Sequence, residues 1–550
     1  MSALVHPTLR ITDLDVWFGT RQVLHGVDLV ATPGHRVGLV GENGSGKSTL
    51  LRAVAGTLPA RAVVTGTVEG TQDLALLSQE PPFADTQTVA EVLAGALLPL
   101  RRMVADVEHL AAHLDDGAGQ AAYADALDRA VAHDAWDADR RADEAAERLG
   151  LGRLDPDRRV GTLSGGQRTR LALATLMTTR PACLLLDEPT NHLDDDAIGV
   201  LTGFLRDLPG VVLLASHDRV LLDDVCTDLF DLDPAGLGTD GEGGRRFGGG
   251  WTAYEEHRAA ARRRWEETYA AQQEELTRLR DATRIEASAI AHNRPPRDND
   301  KFVYGFKGAN VQRTLARRKR DAHRRLDLAE RAQVRKPRPP LRLRADLTGA
   351  GREGRLVVVR DLEVAGRLRL PRLDVTAGEH LLVSGANGSG KSTLLGVLAG
   401  RLEPTAGSVA GSVAGSVAVS ARRVAELPQD VRFADPRRGA RSTYDSLVGA
   451  ERAARTPLRS LGLLPAGQLA TPVGLLSVGQ RRRLGLAVAI AVEPDLLLLD
   501  EPTNHISLTL AGELEEAMAS TPGTVVVASH DRWLRRRWAG AELALAGGGS

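Results

Sequence analysis

The sequence predicts an α/β chain built twice over, its two halves joined by a long α-helical hairpin, and three observations carry that expectation. Apolar runs without alternation at 183–186, 211–215, 496–499 and 525–528 read as parallel strands buried on both faces. One ordered set of motifs occurs twice: GENGSGKST (41–49), LSGGQ (163–167), CLLLDEP (183–189) and SHD (216–218) return as GANGSGKST (385–393), LSVGQ (476–480), LLLLDEP (496–502) and SHD (529–531). Residues 251–292 form an Ala, Glu, Arg and Gln pattern without Pro or Gly, the composition of a long exposed helix.

The spacings repeat as well as the motifs. Ser164 to Glu188 and Ser477 to Glu501 are both 24 positions, and Glu188 to His217 and Glu501 to His530 are both 29. A repeat of that length is a duplicated domain rather than a solenoid unit. The expected domains are 1–250, 251–340 and 341–550.

Each half opens on strand-like alternation, then an apolar strand (36–40, 380–384) runs directly into the glycine loop and a helix. The first half has 85 positions from Gln79 to Ser164, against 48 from Gln429 to Ser477 in the second, so it carries an insertion. That insertion is Ala-rich and predicted helical over about 97–150, with a turn at Gly117 and Gly119. Its residues 101–150 hold 12 acidic and 6 basic side chains, a poor balance for gripping phosphates. In the second half GSVAGSVAGSVA (407–418) is a short tandem repeat, which replication slippage in a surface strand or turn explains.

Between the halves, Pro295 and Pro296 interrupt the long helix and helical character resumes over 311–334, which leaves a loop at 292–309. Residues 251–340 hold 22 Lys and Arg against 13 Asp and Glu, a net of +9. The chain as a whole is −1, so its remainder carries −10. The positive charge sits where the hairpin is. Four of the six lysines (Lys301, Lys307, Lys319, Lys336) also fall there, for which chance is an equal reading, and the other two are Lys47 and Lys391.

Composition excludes several classes. Two cysteines, Cys183 and Cys226, can build neither a zinc framework nor a disulfide scaffold, and a reducing cytoplasm suits them. No basic region followed by an apolar stretch opens the chain, so a secretory signal is not expected. The longest apolar runs are far short of the ~20 residues of a membrane helix.

GxxxxGK[ST] after a strand and before a helix lets backbone N–H groups face phosphates. The expected contacts are Gly41, Asn43, Gly44, Gly46, Lys47, Ser48 and Thr49 in one half and Gly385, Asn387, Gly388, Gly390, Lys391, Ser392 and Thr393 in the other. Ser48 and Ser392 reach Mg²⁺, and Asp187 and Asp500, each ending an apolar strand, hold its shell through water. Glu188 and Glu501 can orient or deprotonate an attacking water. Gln79 and Gln429 can sense the metal and γ-phosphate, and His217 and His530 can contact the γ-phosphate from a strand end. A lone His or Gln is more often a satisfied structural residue, but here each belongs to two matching ordered sets.

The pairing of a phosphate loop with LSGGQ resembles ABC-type ATPases, and tandem halves with DEPTNH after each metal-binding strand resemble the ABC-F subfamily over essentially the whole chain. The resemblance implies two ABC-type domains closing head to tail as a monomer, with ATP and Mg²⁺ between one half's phosphate loop and the other's signature. It adds Ser164, Gly165, Gly166 and Gln167, and Ser477, Gly479 and Gln480, as nucleotide contacts, and Phe18 as an adenine platform. Site one would join Lys47, Gln79, Asp187, Glu188 and His217 to Ser477 and Gly479. Site two would join Lys391, Gln429, Asp500, Glu501 and His530 to Ser164 and Gly166. The halves differ at Val478, which replaces a signature glycine, at Ser507, which stands where the first half has Asp194, and around 364–366, where no aromatic matches Phe18. Unequal hydrolysis at the two sites is expected.

ABC-F proteins resembling this one act on 70S ribosomes, reaching from the tRNA exit site towards the peptidyl-transferase centre of the large subunit. In the loop, Arg294, Arg297, Lys301 and Lys307 can pair with rRNA phosphates, and Phe302, Tyr304 and Phe306 can stack on bases or crowd a bound drug. Packing of the hairpin tip onto itself is the plainer reading of the aromatics. Loop length and LSVGQ resemble the antibiotic-resistance members of GC-rich bacteria, so the expectation is ribosome protection. A housekeeping translation factor is the nearest alternative and an exporter's ATPase subunit a second, whereas neither DNA nor a transmembrane partner is expected.

Overall fold

Strands whose every side chain is apolar can only pair where both faces are covered, and that requirement organises each half. The computed structural model describes residues 8–41, 44–70, 73–78, 81–114, 117–191, 193–232, 244–285, 320–321, 323–334, 336, 347, 354–364, 366–386, 388–402, 416–504, 506 and 508–545. Among these, the first half's main sheet runs Leu74–Leu77, Cys183–Asp187, Val211–Ala215, Arg36–Val40, Asp228–Asp231 and Arg245–Gly248, parallel except for the last strand. The second half's runs Val424–Leu427, Leu496–Asp500, Thr524–Ala528, His380–Ser384 and Ala541–Ala544, all parallel. Every residue of the two central pairs, Cys183–Asp187 with Val211–Ala215 and Leu496–Asp500 with Thr524–Ala528, is buried.

A three-stranded antiparallel sheet covers one face in each half, ordered Arg21–Ala31, Leu9–Phe18, Ala62–Glu69 and Leu368–Thr376, Arg355–Val364, Ser416–Val419. Its inward residues (Leu14, Val16; Leu362, Val364) share a core with the phosphate-loop helix (Leu50, Leu51; Leu394, Leu395) and alternate residues of the main sheet. The tandem repeat contributes its end, Ser416–Ala418, to the edge of the second sheet, and most of the repeat lies outside the described residues.

Helices Val89–Ala111, Gly117–Ala132 and Ala138–Arg148 occupy the insertion, with boundaries that differ from the sequence reading. The first helix spans Val89–Ala111, starting well before 97, because Thr88 and Glu91 close a capping box that satisfies two end donors at once. Pro99 lies inside it, a position that costs a backbone hydrogen bond but not the helix. Gly117 and Gly119 belong to the next helix, Gly117–Ala132, so the break falls before them. Small residues let these helices approach: Ala126, Ala130, Ala138 and Ala142 pack with Leu97, Leu100 and Val107 in a core of their own.

The chain divides into two compact units, one holding both halves and the other spanning Thr252–Pro339 with Pro234–Glu242. From Thr252 onward the helix Trp251–Ile285 belongs to the second unit, where helical turns recur at 323–331. The Gln272 side chain donates to Ala332 O at 3.3 Å and accepts from Val334 N at 2.8 Å, and Arg280 pairs with Glu330 at 2.8 Å. Those contacts make the segment a hairpin. The loop 292–309, with every residue assigned to it above, lies outside the described residues.

Within the first unit the halves meet through charge. Arg219, its side chain 1% exposed, pairs with Glu515 and, at 3.0 Å, with Asp531, and its guanidinium lies 5.4 Å from the Trp533 ring centre. Reciprocally, Arg532 lies 3.6 Å from Asp218. Arg219→Ala leaves Glu515 and Asp531 facing each other without their cation and is expected to cost about 3–5 kcal/mol in urea unfolding. Arg535→Ala, which breaks a half-exposed pair with Asp195 at 2.6 Å, should cost under about 1 kcal/mol.

Candidate nucleotide sites

Each glycine loop turns on backbone angles that a side chain resists. Gly46 and Gly390 cap their helices at φ 101° and 96°, and a Cβ there would come within 2.6 Å of Leu24 Cδ2 or Arg367 O. Gly44 and Gly388, at 89° and 83°, and Gly41 and Gly385, at 144° and 147°, repeat the match. The helices Lys47–Val54 and Lys391–Leu398 start at the lysine, so the next hydroxyls (Ser48, Thr49; Ser392, Thr393) sit in the first turn, where N–H groups point outward. Lys47 Nζ donates to Gly41 O at 2.9 Å, and Lys391 Nζ to Gly385 O at 2.8 Å and Ala386 O at 3.1 Å. Burial lowers the Lys391 pKa. Asn43, Asn387 and Gln79 lie outside the described residues.

Ser48 Oγ donates to Asp187 Oδ1 at 2.9 Å, joining the first loop to the end of the strand Cys183–Asp187. In the second half Asp500 Oδ1 is buried without a hydrogen-bond partner among the described residues. Burial raises both carboxyls above the usual carboxylate range. One carboxylate and one hydroxyl per half, all oxygen, is a donor set that fits Mg²⁺, which takes one or two protein ligands and completes its shell with phosphate and water. No cluster of three or more His, Cys, Asp or Glu placed for a metal occurs among the described residues.

Glu188 and Glu501 follow these aspartates at φ 52° and 49°, a left-handed conformation that non-glycine residues keep only when held there. Glu188 Oε2 accepts from His217 N at 3.1 Å, and His217 Nε2 lies 3.4 Å from Oε1. Glu501 Oε2 accepts from His530 N at 3.3 Å and Ser529 Oγ at 3.2 Å, with His530 Nδ1 2.7 Å from Oε1. That last contact raises the His530 pKa. Each half thus brings its lysine, serine, aspartate, glutamate and histidine to one end of its sheet.

Ser164 and Ser477 are exposed N-caps, each in a capping box with Gln167 or Gln480. Gly165 and Gly166, like Val478 and Gly479, form the first turn after the cap. Val478 is 50% exposed and leaves the cap intact, since Gln480 N lies 3.2 Å from Ser477 Oγ, as Gln167 N does from Ser164 Oγ. Phe18 ends its strand half-buried against the core, and Gln429 is exposed after Val424–Leu427. Asp194, unmatched in the second half, caps the helix Asp195–Asp207 and pairs with Arg170 at 2.7 Å.

Two arginines escaped the sequence reading. Arg219 extends the repeated SHD to SHDR in both halves, a signal that was present. Arg482, buried in the second signature helix, stands where the first half has Thr169.

Burial pushes the Glu188 carboxyl up to about 7. Its folded pKa exceeds its unfolded value, so its contribution favours folding below about pH 4.5 and is lost as pH rises through about 7. Glu188→Gln removes that titration. In nucleotide-free protein the stability of the variant relative to the parent is expected to rise by about 2–3 kcal/mol between pH 5 and pH 8, read by denaturant unfolding at each pH.

The family described as ABC transporter matches residues 24–191 and 368–504. The chain is 38% identical over 547 residues to the tylosin resistance ATP-binding protein TlrC of Streptomyces fradiae, covering 96% of this chain and 95% of that protein. It is 32% identical over 546 residues to the energy-dependent translational throttle protein EttA of Mycobacterium tuberculosis, covering 94% and 88%. Among solved structures it is similar to an RNase-L inhibitor, with TM-score 0.48 and 18% identity over 91% of this chain and 81% of that one. No helix among the described residues is long and apolar enough to cross a membrane. With two ATP-binding halves of matched geometry, the chain belongs to the ABC transporter family and, within it, to the ABC-F ATPases, which hydrolyse ATP.

Proposed function

We propose that this ATPase acts in the cytoplasm on the bacterial 70S ribosome and protects it from antibiotics, ATP-driven closure of its halves positioning the hairpin loop near the peptidyl-transferase centre. The observation that carries the reading is the nearly end-to-end likeness to a protein named for tylosin resistance. The +9 charge of the hairpin segment supports it, since RNA phosphates are the polyanion such a surface suits. In the loop, Arg294, Arg297, Lys301 and Lys307 would hold rRNA, and Phe302, Tyr304 and Phe306 would displace the drug or reshape its pocket.

Site one is proposed to join Lys47, Ser48, Gln79, Asp187, Glu188 and His217 to Ser477 and Gly479, with Phe18 under the adenine. Site two would join Lys391, Ser392, Gln429, Asp500, Glu501 and His530 to Ser164 and Gly166. Bound Mg²⁺ would neutralise charge on the outer phosphates, held by Ser48 and Asp187 or by Ser392 and Asp500. Glu188 and Glu501 orient the attacking water, while the serine-capped helices offer N–H groups to the γ-phosphate of the site opposite. Because Val478 faces site one and site two lacks an aromatic platform, Glu188→Gln and Glu501→Gln are expected to remove unequal shares of steady-state turnover. Equal losses would overturn that asymmetry.

Likeness to a translational throttle protein favours one second reading, a housekeeping translation factor. Expression in a drug-sensitive host separates the two. The intact chain is expected to raise the inhibitory concentration of tylosin or another drug acting at the peptidyl-transferase centre or exit tunnel, and deletion of 294–307 to abolish the gain. No change with any such drug sinks the protection reading. The Glu188→Gln, Glu501→Gln double variant is expected to sediment with 70S particles in ATP, and its absence from them would favour an exporter subunit instead.

A further inference from the structure

The two signature helices share the capping serine, the second glycine and the glutamine, differ at Gly165 and Val478, and differ again at a buried place in the next turn. Thr169 in Gly165–Thr179 and Arg482 in Val478–Ala491 both stand five residues past their cap. Thr169 Oγ donates to Gly165 O at 3.1 Å, a bond inside its own helix. Arg482, 2% exposed, reaches out of its helix instead. Its Nη1 donates to the carbonyl of Gln429, and its Nη2 to those of Asp500 at 2.9 Å and Glu501 at 2.5 Å.

A guanidinium is costly to bury, and burial lowers the Arg482 pKa although the Asp500, Glu501 and Asp430 carboxylates favour its charge without a direct hydrogen bond to it. Its hydrogen-bond partners are three carbonyls, which its planar fork reaches from two separate nitrogens where a lysine has one. Those carbonyls belong to the segment after Val424–Leu427 and to the end of Leu496–Asp500. One of them is on Glu501, held at φ 49°, where a donor on the carbonyl opposes relaxation.

We infer that Arg482 is a positioning residue for the second site, holding the backbone of Gln429 and Glu501 in register with the helix that Ser477 caps. The inference rests on the proposed assignment of Gln429 and Glu501 to site two and Ser477 to site one. One helix carries both Ser477 and Arg482, so nucleotide engaged by Ser477 in site one is communicated to Glu501 in site two. Thr169 makes no equivalent link in the first half, so this tie between the sites exists on one side of the molecule alone.

The test uses full-length protein with one site silenced. In a Glu188→Gln background, where turnover reports site two, Arg482→Thr is expected to lower kcat at least tenfold, as small misplacements of a reacting group do. The KM for ATP and the affinity for a fluorescent ATP analogue should stay within about twofold. Arg482→Lys should lose about threefold or more, short of the threonine variant. In a Glu501→Gln background, where site one reports, Arg482→Thr should leave kcat within about twofold. An unchanged kcat in the first background, an equal loss in both, or a rise in KM alone overturns the assignment. If Arg482→Thr does not fold, Arg482→Lys decides by the same comparison. Parental turnover in the Glu188→Gln, Glu501→Gln double variant would overturn the assignment of the glutamates and this inference with it. A dead double variant beside an unaffected Arg482→Thr overturns Arg482 alone.

Discussion

Glu188 N donates to Ala215 O, and Glu501 N to Ala528 O, both at 2.8 Å, and the chemistry of each half hangs from that bond. Asp187 pairs in register with Ala215 and Asp500 with Ala528, so the glutamate extends the ladder by one residue past the strand. Extending it while the chain leaves the sheet forces the left-handed φ that both residues share. The turn in turn sets the carboxylate beneath the next strand's end, where the backbone N–H of His217 or His530 meets it. Burial at that spot is what holds the Glu188 carboxyl near 7. A strand-end geometry therefore places, orients and tunes the group proposed to face the reacting water.

The same strand ends also join the halves. Asp218 and Asp531 each give one carboxylate oxygen to their own helix, capping Arg219–Val225 and Arg532–Arg537. The other oxygen faces the arginine of the opposite half, Arg532 or Arg219. Each aspartate is thus locked from two sides, one residue after its histidine. The pairs are not equal, since Arg219 is fully buried and doubly paired while Arg532 lies 3.6 Å and 3.8 Å from its two carboxylates. The tighter contact, through Asp531, adjoins His530.

Much of this was legible in the sequence because burial writes itself into composition. The four apolar runs became strands, and the glycine loops lie where strand, loop and helix patterns meet. The insertion shows how one local signal can override another. Gly117 and Gly119 suggested a turn, yet they sit in a helix, while the Thr88 and Glu91 pattern that begins the first helix was passed over. What sequence could not show is contact at long separation. The Arg219–Glu515 pair spans 296 positions, and its partner becomes identifiable only when both halves are folded and placed together.

Around the glycine loops and strand ends, the asymmetry between the halves lives in side chains, not in backbone. Matching glycines differ by a few degrees, Glu188 and Glu501 by three, and even Asp13 and Asp361 share φ 48°. On that common frame the histidine turns Nε2 to its glutamate in one half and Nδ1 in the other. Thr169 stays within its helix where Arg482 leaves it, and Val478 adds bulk where Gly165 has none. A duplicated domain keeps its scaffold because strand burial and loop angles tolerate little change, so divergence collects where a side chain can alter a contact without moving the chain. Two sites built on one frame can then share a substrate and still run at different rates.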